Sequence, residues 1–228
     1  MKNRGLIIIL VTLLLASINA YGKENESTDA GVVKRVLIIG NSIVKHKPAP
    51  AIGWKGNWGM AASVKDSDFV HILIHKIKNE NKNCRIKFMN VAVFERAYTI
   101  YNLDEFKTLK KFMPDLIVIK ISENVVDSTS LKNDFLGSYK KLIQFLDPNK
   151  KAIKIIVDGF WNKPQVNKIV KQVATDGKYD FVSISDLSKD ETNMAKGNFD
   201  NPGVAMHPSD KGMRLIANTI WCTLKKYF

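Results

Sequence analysis

Five short apolar runs punctuate the chain, at residues 36–39, 86–93, 116–121, 153–157 and 181–184. Each is rich in Val, Ile or Phe, none exceeds eight residues, and small or polar residues follow four of the five directly. That length and composition predict buried strands rather than helices. Between the runs the apolar residues recur three and four apart. In 68–79, for example, Phe69, Ile72, Leu73 and Ile77 share one face. The same spacing predicts helices over about 104–112, 131–145, 165–175 and 209–226. Continuous apolar strands alternating with amphipathic helices describe a parallel sheet covered on both faces. The pattern therefore predicts one α/β/α domain of five strands and five helices over residues 32–228.

The first residues follow a different pattern. Lys2 and Arg4 precede an apolar stretch over 6–15, and Ser17-Ile18-Asn19-Ala20 ends on a small residue. A basic start, a short apolar core and a small-residue end describe a secretory signal peptide, and the core is too short for a membrane span. Residues 1–20 are expected to be removed and 21–31 to form a polar, flexible leader. That makes the protein secreted or periplasmic, with no stable membrane anchor. The chain has 35 basic and 22 acidic residues. Losing Lys2 and Arg4 leaves 33 against 22, a charge of +11, and the lysines are scattered with no nucleic-acid-binding motif beside them. They read as a solvated surface, not as a nucleic-acid site. Of the two cysteines, Cys84 falls at a strand start and Cys222 in the last helix. An oxidising compartment permits a bridge between them, and two free thiols are the other outcome.

Ligands of such sheets bind beyond the carboxyl ends of the strands. Gly40-Asn41-Ser42 follow the first strand, Phe94-Glu95-Arg96 the second and Ser122-Glu123-Asn124 the third. Asp158-Gly159-Phe160-Trp161 follow the fourth, and the segment after the fifth runs to Met206-His207-Pro208. One end of the sheet thereby collects a serine, an amide, carboxylates and a histidine, the ingredients of acyl transfer.

These blocks resemble those of the SGNH/GDSL hydrolase family. GNSI is similar to its GDS block, SEN stands in the place of its G-x-N block, and HPSDKGM resembles its block around the catalytic histidine. The resemblance covers nearly the whole chain after residue 31. It implies a flavodoxin-like five-stranded sheet and hydrolysis of esters without metal or cofactor. By position, Ser42 would be the nucleophile and His207 the general base. The oxyanion would be held by the Ser42 N–H, the Asn124 amide and the N–H of Glu95.

The chain departs from that pattern at four places. Asn41 replaces an aspartate, Glu95 a glycine and Ser122 a second glycine, and Val204 stands where an aspartate would orient the histidine. Either Asp200 in the same loop or a backbone carbonyl is left to orient His207. Trp54 and Trp58 lie in the Gly-rich loop after Ser42, and Trp161 follows the fourth strand. As rim aromatics they point to sugar faces; as loop-packing residues they would only anchor the segment. His71 and His75 are four apart on a helix but lack the glutamate of a metalloprotease motif, and neither is read as a metal ligand. The expected substrate is a small-molecule or polysaccharide ester, with acetyl on a carbohydrate the leading case. A glycan-binding protein without turnover and a lipid or thioester hydrolase are the alternatives.

Overall fold

The computed structural model describes residues 33–228. The expected signal peptide and leader lie outside the described residues. Five parallel strands form one sheet: β1 (Arg35–Gly40), β2 (Arg85–Asn90), β3 (Leu116–Ile119), β4 (Ile153–Val157) and β5 (Asp180–Val182). Their spatial order is β2-β1-β3-β4-β5, with every neighbouring pair parallel. This is the flavodoxin-like order of doubly wound folds, whose direction of winding reverses between β1 and β3. The expected α/β/α class is the observed one.

Alternation along β1 divides the core in two. Val36 and Ile38 pack with Phe69, Leu73 and Ile77 of α1 (Phe69–Glu80) and with Ile216 and Ile220 of α7 (Asp210–Leu224). Leu37 and Ile39 face Phe135, Tyr139 and Leu142 of α4 (Phe135–Leu146) and Val166 and Val170 of α5 (Pro164–Gly177). The central strands β1 and β3 are buried on both faces, which is why they read as continuous apolar runs, while the edge strands β2 and β5 are only half-buried.

Two predicted elements end elsewhere. The run expected as strand to residue 93 stops at Asn90, and a short helix, α2 (Ala92–Ala97), comes next. The Asn90 side chain accepts from the Ala92 N–H at 2.8 Å, turning the chain out of the sheet. The helix expected over 104–112 is split into a 3-10 turn, Leu103–Phe106, and the single turn α3 (Lys107–Lys110). A further single turn, α6 (Pro202–Ala205), lies in the segment before His207. Cys84 is buried, Cys222 exposed, and both are free thiols.

Candidate active site

Gly40 ends β1, and only glycine fits there. A Cβ would lie 2.5 Å from the Lys120 carbonyl oxygen and 2.6 Å from the Val44 side chain. The turn after it hangs on Asn41, whose carbonyl accepts from Val44 and Lys45 and whose side-chain oxygen accepts from the Ile43 N–H. Ser42, between them, is left half-buried at the strand end. Its N–H donates to no protein group among the described residues.

His207 reaches this point from the other end of the chain. Ser42 Oγ and His207 Nε2 are 2.7 Å apart. His207 Nδ1 lies 2.7 Å from the Gly203 carbonyl. A carbonyl can only accept, so Nδ1 carries the proton and Nε2 presents its lone pair to the serine hydroxyl. Burial, the largest influence, lowers the imidazole pKa to about 4, against the opposing effects of the Gly203 carbonyl and the more distant Glu123 charge. The ring is held on another side by Trp161, edge-on with centroids 5.1 Å apart. The Trp161 indole N–H donates to the Met206 carbonyl at 3.2 Å.

Of the two candidates for orienting His207, the structure presents the carbonyl. Asp200 is exposed, makes no ion pair with His207, and lines a neighbouring cavity of about 800 Å³. The expectation that Asp200 completes a triad is corrected on that geometry. Val204, in the place of the missing aspartate, points into a small core with Trp54, Met60 and Ala195. A carboxylate there would be buried, not aimed at the imidazole.

A polar cluster lies beneath the serine. The Asn41 amide donates to Glu95 Oε1 at 3.1 Å and to Glu123 Oε2 at 2.5 Å. Glu95 also accepts from the Ser122 N–H at 2.5 Å and from the Asn124 amide. Glu123 pairs with Lys120, which is fully buried, and accepts from the Phe160 N–H at 2.9 Å. Burial, followed by repulsion from Glu123, raises Glu95 to about 7. Burial, the largest single influence, would raise Glu123 too, but the Lys120 ammonium, the Phe160 N–H and the Asn41 amide together hold that carboxyl below its ordinary value. A neutral amide at position 41 can donate to both glutamates; an aspartate could not.

The expected oxyanion donors fare differently. The Glu95 N–H is turned back on the Val91 carbonyl at 3.4 Å, and the Glu95 side chain is buried. Its place in the oxyanion set is therefore corrected: α2 begins before it and consumes its N–H. Asn124 remains at the cleft. Its Oδ1 accepts from Arg96 at 2.9 Å and its Nδ2 donates to Glu95, a pair of partners that fixes which way the amide faces. One of its two N–H groups is still uncommitted.

The cleft holding Ser42, Asn124 and His207 has a volume of about 830 Å³, the size of a small-molecule site. Trp54 and Trp58 line the neighbouring cavity instead. Trp54 is only 2% exposed, sits edge-on to Trp58 with centroids 5.7 Å apart, and donates its N–H to the His46 carbonyl. Gly56 fits between the two rings, where a Cβ would come within 2.4 Å of one and 2.8 Å of the other. A stacking face on Trp54 is thus corrected to a packing role. His71 is likewise structural, its Nδ1 2.8 Å from Asp68, the residue that caps α1. Lys120, Glu123 and Arg96 are the site residues whose parts the sequence pattern did not reveal.

No protein-family model matches the chain, and no curated protein matches its sequence. Solved structures do match it. A two-domain esterase active on acetylated mannans aligns with a TM-score of 0.58 at 17% identity, over 85% of this chain and 49% of that one, so the chain spans about half its length. The acetyl xylan esterase AlAXEase aligns with a TM-score of 0.52 at 17% identity, covering 83% of this chain and 99% of the esterase. TesA aligns with a TM-score of 0.51 at 15% identity, covering 85% of this chain and 99% of TesA. The chain therefore has the α/β fold that these esterases and TesA share.

Proposed function

We propose that the protein is a serine esterase that removes small acyl groups, acetyl first among them, from a carbohydrate. The observation that carries this reading is the 2.7 Å approach of Ser42 Oγ to His207 Nε2 at the wall of the cleft. In the proposed cycle His207 takes the serine proton as Oγ attacks the ester carbonyl. The tetrahedral oxyanion is held by the Ser42 N–H and the Asn124 amide. Protonated His207 then gives the proton to the leaving alcohol, and water, deprotonated by the same imidazole, releases the acyl group from Ser42. The Gly203 carbonyl fixes the tautomer but supplies no negative charge to stabilise the imidazolium. Such a dyad is expected to be slower than a full triad.

The carbohydrate rests on the structural neighbours that act on acetylated mannans and xylan and on four cationic side chains in the lining of the cleft. The expected secretory route rests on residues 1–20 alone. The test is hydrolysis of an aryl acetate and of acetylated oligosaccharides by wild type and Ser42→Ala. Loss of turnover with an unchanged unfolding transition is the expected outcome; retained turnover in the variant removes Ser42 as nucleophile.

A further inference from the structure

We propose that the carbohydrate bound in this cleft is acidic, carrying carboxylate or sulfate groups beside the ester that Ser42 attacks. This rests on the esterase reading for the ester and on the cleft itself for the charge. The cleft runs from Ser42 and His207 along the outer edge of β2. Its lining includes Lys45, Lys47, Lys87 and Arg96 and no aspartate or glutamate. The chain has 22 acidic residues, so their absence here is a local feature and not a general lack.

Among the described residues, five exposed lysines outside the cleft are ion-paired, while others there, such as Lys55, Lys132 and Lys171, are unpaired as the cleft cations are. Lys140, Lys189, Lys196, Lys211 and Lys226 each lie against a carboxylate. None of the four cleft cations makes an ion pair among the described residues. Three of the four are nonetheless held in place. Lys45 sits over the Phe88 ring at 5.7 Å, and its carbonyl accepts from Asn90 at 2.7 Å. Lys87 lies over the Phe112 ring at 5.1 Å and donates to the Thr108 carbonyl at 3.3 Å. Arg96 donates to Asn124, an oxyanion residue of the proposed mechanism, and keeps further N–H groups for an incoming acceptor. A guanidinium so placed suits the paired oxygens of a carboxylate or sulfate. Anchored cations without internal counter-charges concentrate positive potential in a concave site, and such a field attracts anions.

The test uses matched probes: an acetylated oligouronate, the same oligomer with its carboxylates methyl-esterified, an acetylated sulfated oligosaccharide, and an acetylated xylo-oligosaccharide. At low salt, kcat/KM for acetate release from the acidic oligomers should exceed that for the neutral ones at least tenfold. The preference should shrink as salt shortens the screening length. A double substitution, Lys47→Glu with Lys87→Glu, should cut it by a further tenfold or more. Preference for the uronate over the sulfated probe identifies carboxylate as the recognised group, and the reverse identifies sulfate; equal rates on acidic and neutral oligomers overturn the proposal while leaving the esterase intact. If no probe is turned over, the esterase reading fails. Calorimetric binding of the same oligomers to the full-length chain then decides the charge preference without catalysis: salt-sensitive binding of the acidic oligomers alone supports it, and equal or absent binding of all of them refutes it.

Discussion

Substituting Asn41 with aspartate restores the residue the family resemblance would place there, and the structure predicts that it damages this protein. The Asn41 amide gives one N–H to Glu95 at 3.1 Å and the other to Glu123 at 2.5 Å. Hydrogen bonds to charged groups are worth about 1.5–3 kcal/mol each. An ionised aspartate would lose both and add a third carboxylate to a cluster neutralised only by Lys120. The fold escapes most of that repulsion by protonating the new group, which restores one donor. Raising a carboxyl from about 3.9 to near 7.5 costs roughly 5 kcal/mol at pH 7.5, at about 1.4 kcal/mol per unit. With partial relaxation, Asn41→Asp should destabilise by about 3–5 kcal/mol at pH 7.5, the range for breaking a buried charged pair. For a chain of this size that lowers Tm by about 6–20 °C. At pH 5 the proton is nearly free and the penalty should fall to about 1–2 kcal/mol. Urea unfolding of both proteins at the two pH values measures it. Equal stabilities at pH 7.5, or a penalty that does not shrink on acidification, would refute the buried carboxylate pair.

Three further predictions concern His207, Glu95 and Val204. Because burial holds His207 near 4, the imidazole stays a neutral base well below its ordinary 6.5. The acidic limb of kcat/KM on an aryl acetate should then fall near pH 4, and a limb near 6.5 contradicts the desolvated, carbonyl-oriented ring. Glu95 and His207 act on stability with opposite signs. Glu95, at about 7 against 4.5, contributes stability that is full below 4.5 and lost as pH rises to 7. His207, at about 4 against 6.5, contributes stability that is full above 6.5 and lost as pH falls to 4. Each is on the order of 3–4 kcal/mol in full and they offset, so Glu95→Gln should convert a nearly flat profile between pH 4.5 and 6.5 into one rising by up to about 1.4 kcal/mol per unit; a profile identical to wild type in urea titrations counts against a raised Glu95. Val204→Asp places a carboxylate in an apolar pocket and should cost about 3–5 kcal/mol. A variant as stable as wild type in thermal unfolding would show that position 204 can turn toward the imidazole after all.

The sheet was readable because β1, β3 and most of β4 are buried on both faces and carry apolar runs, while the half-buried edge strands β2 and β5 still hold enough Ile, Phe, Met and Val to mark them. Ser42, Asn124 and His207 were readable because a parallel sheet gathers the residues just beyond its strands at one end. The rest carried weaker signals. Val91, Ala92, Val93 and Phe94 are apolar enough to extend β2, and only the Asn90 side chain bonding two residues onward turns them into a helix. That helix also withdraws the Glu95 N–H from the cleft, a backbone event that no residue type announces. The group orienting His207 is a carbonyl, which every residue has, whereas Asp200 stands out in the sequence as a carboxylate in the same loop. Glu95 reads as an unwelcome charge beside an oxyanion until the fold shows it accepting from Asn41, Ser122 and Asn124. Lys120 is hidden inside an apolar strand context and becomes legible only when Glu123, three residues on, is seen to fold back against it. Trp54 and Trp58 look alike in a glycine-rich loop, whether they stack on sugar or on each other.

The central claim is that Ser42 is activated by His207, and covalent labelling tests it most directly. Incubation with a fluorophosphonate followed by peptide mass spectrometry should place one phosphonyl group on Ser42 and none on other serines. His207→Ala should slow that labelling by at least a hundredfold while leaving the fold intact. Labelling of wild type at another residue, or of the His207→Ala variant at the wild-type rate, would contradict the account.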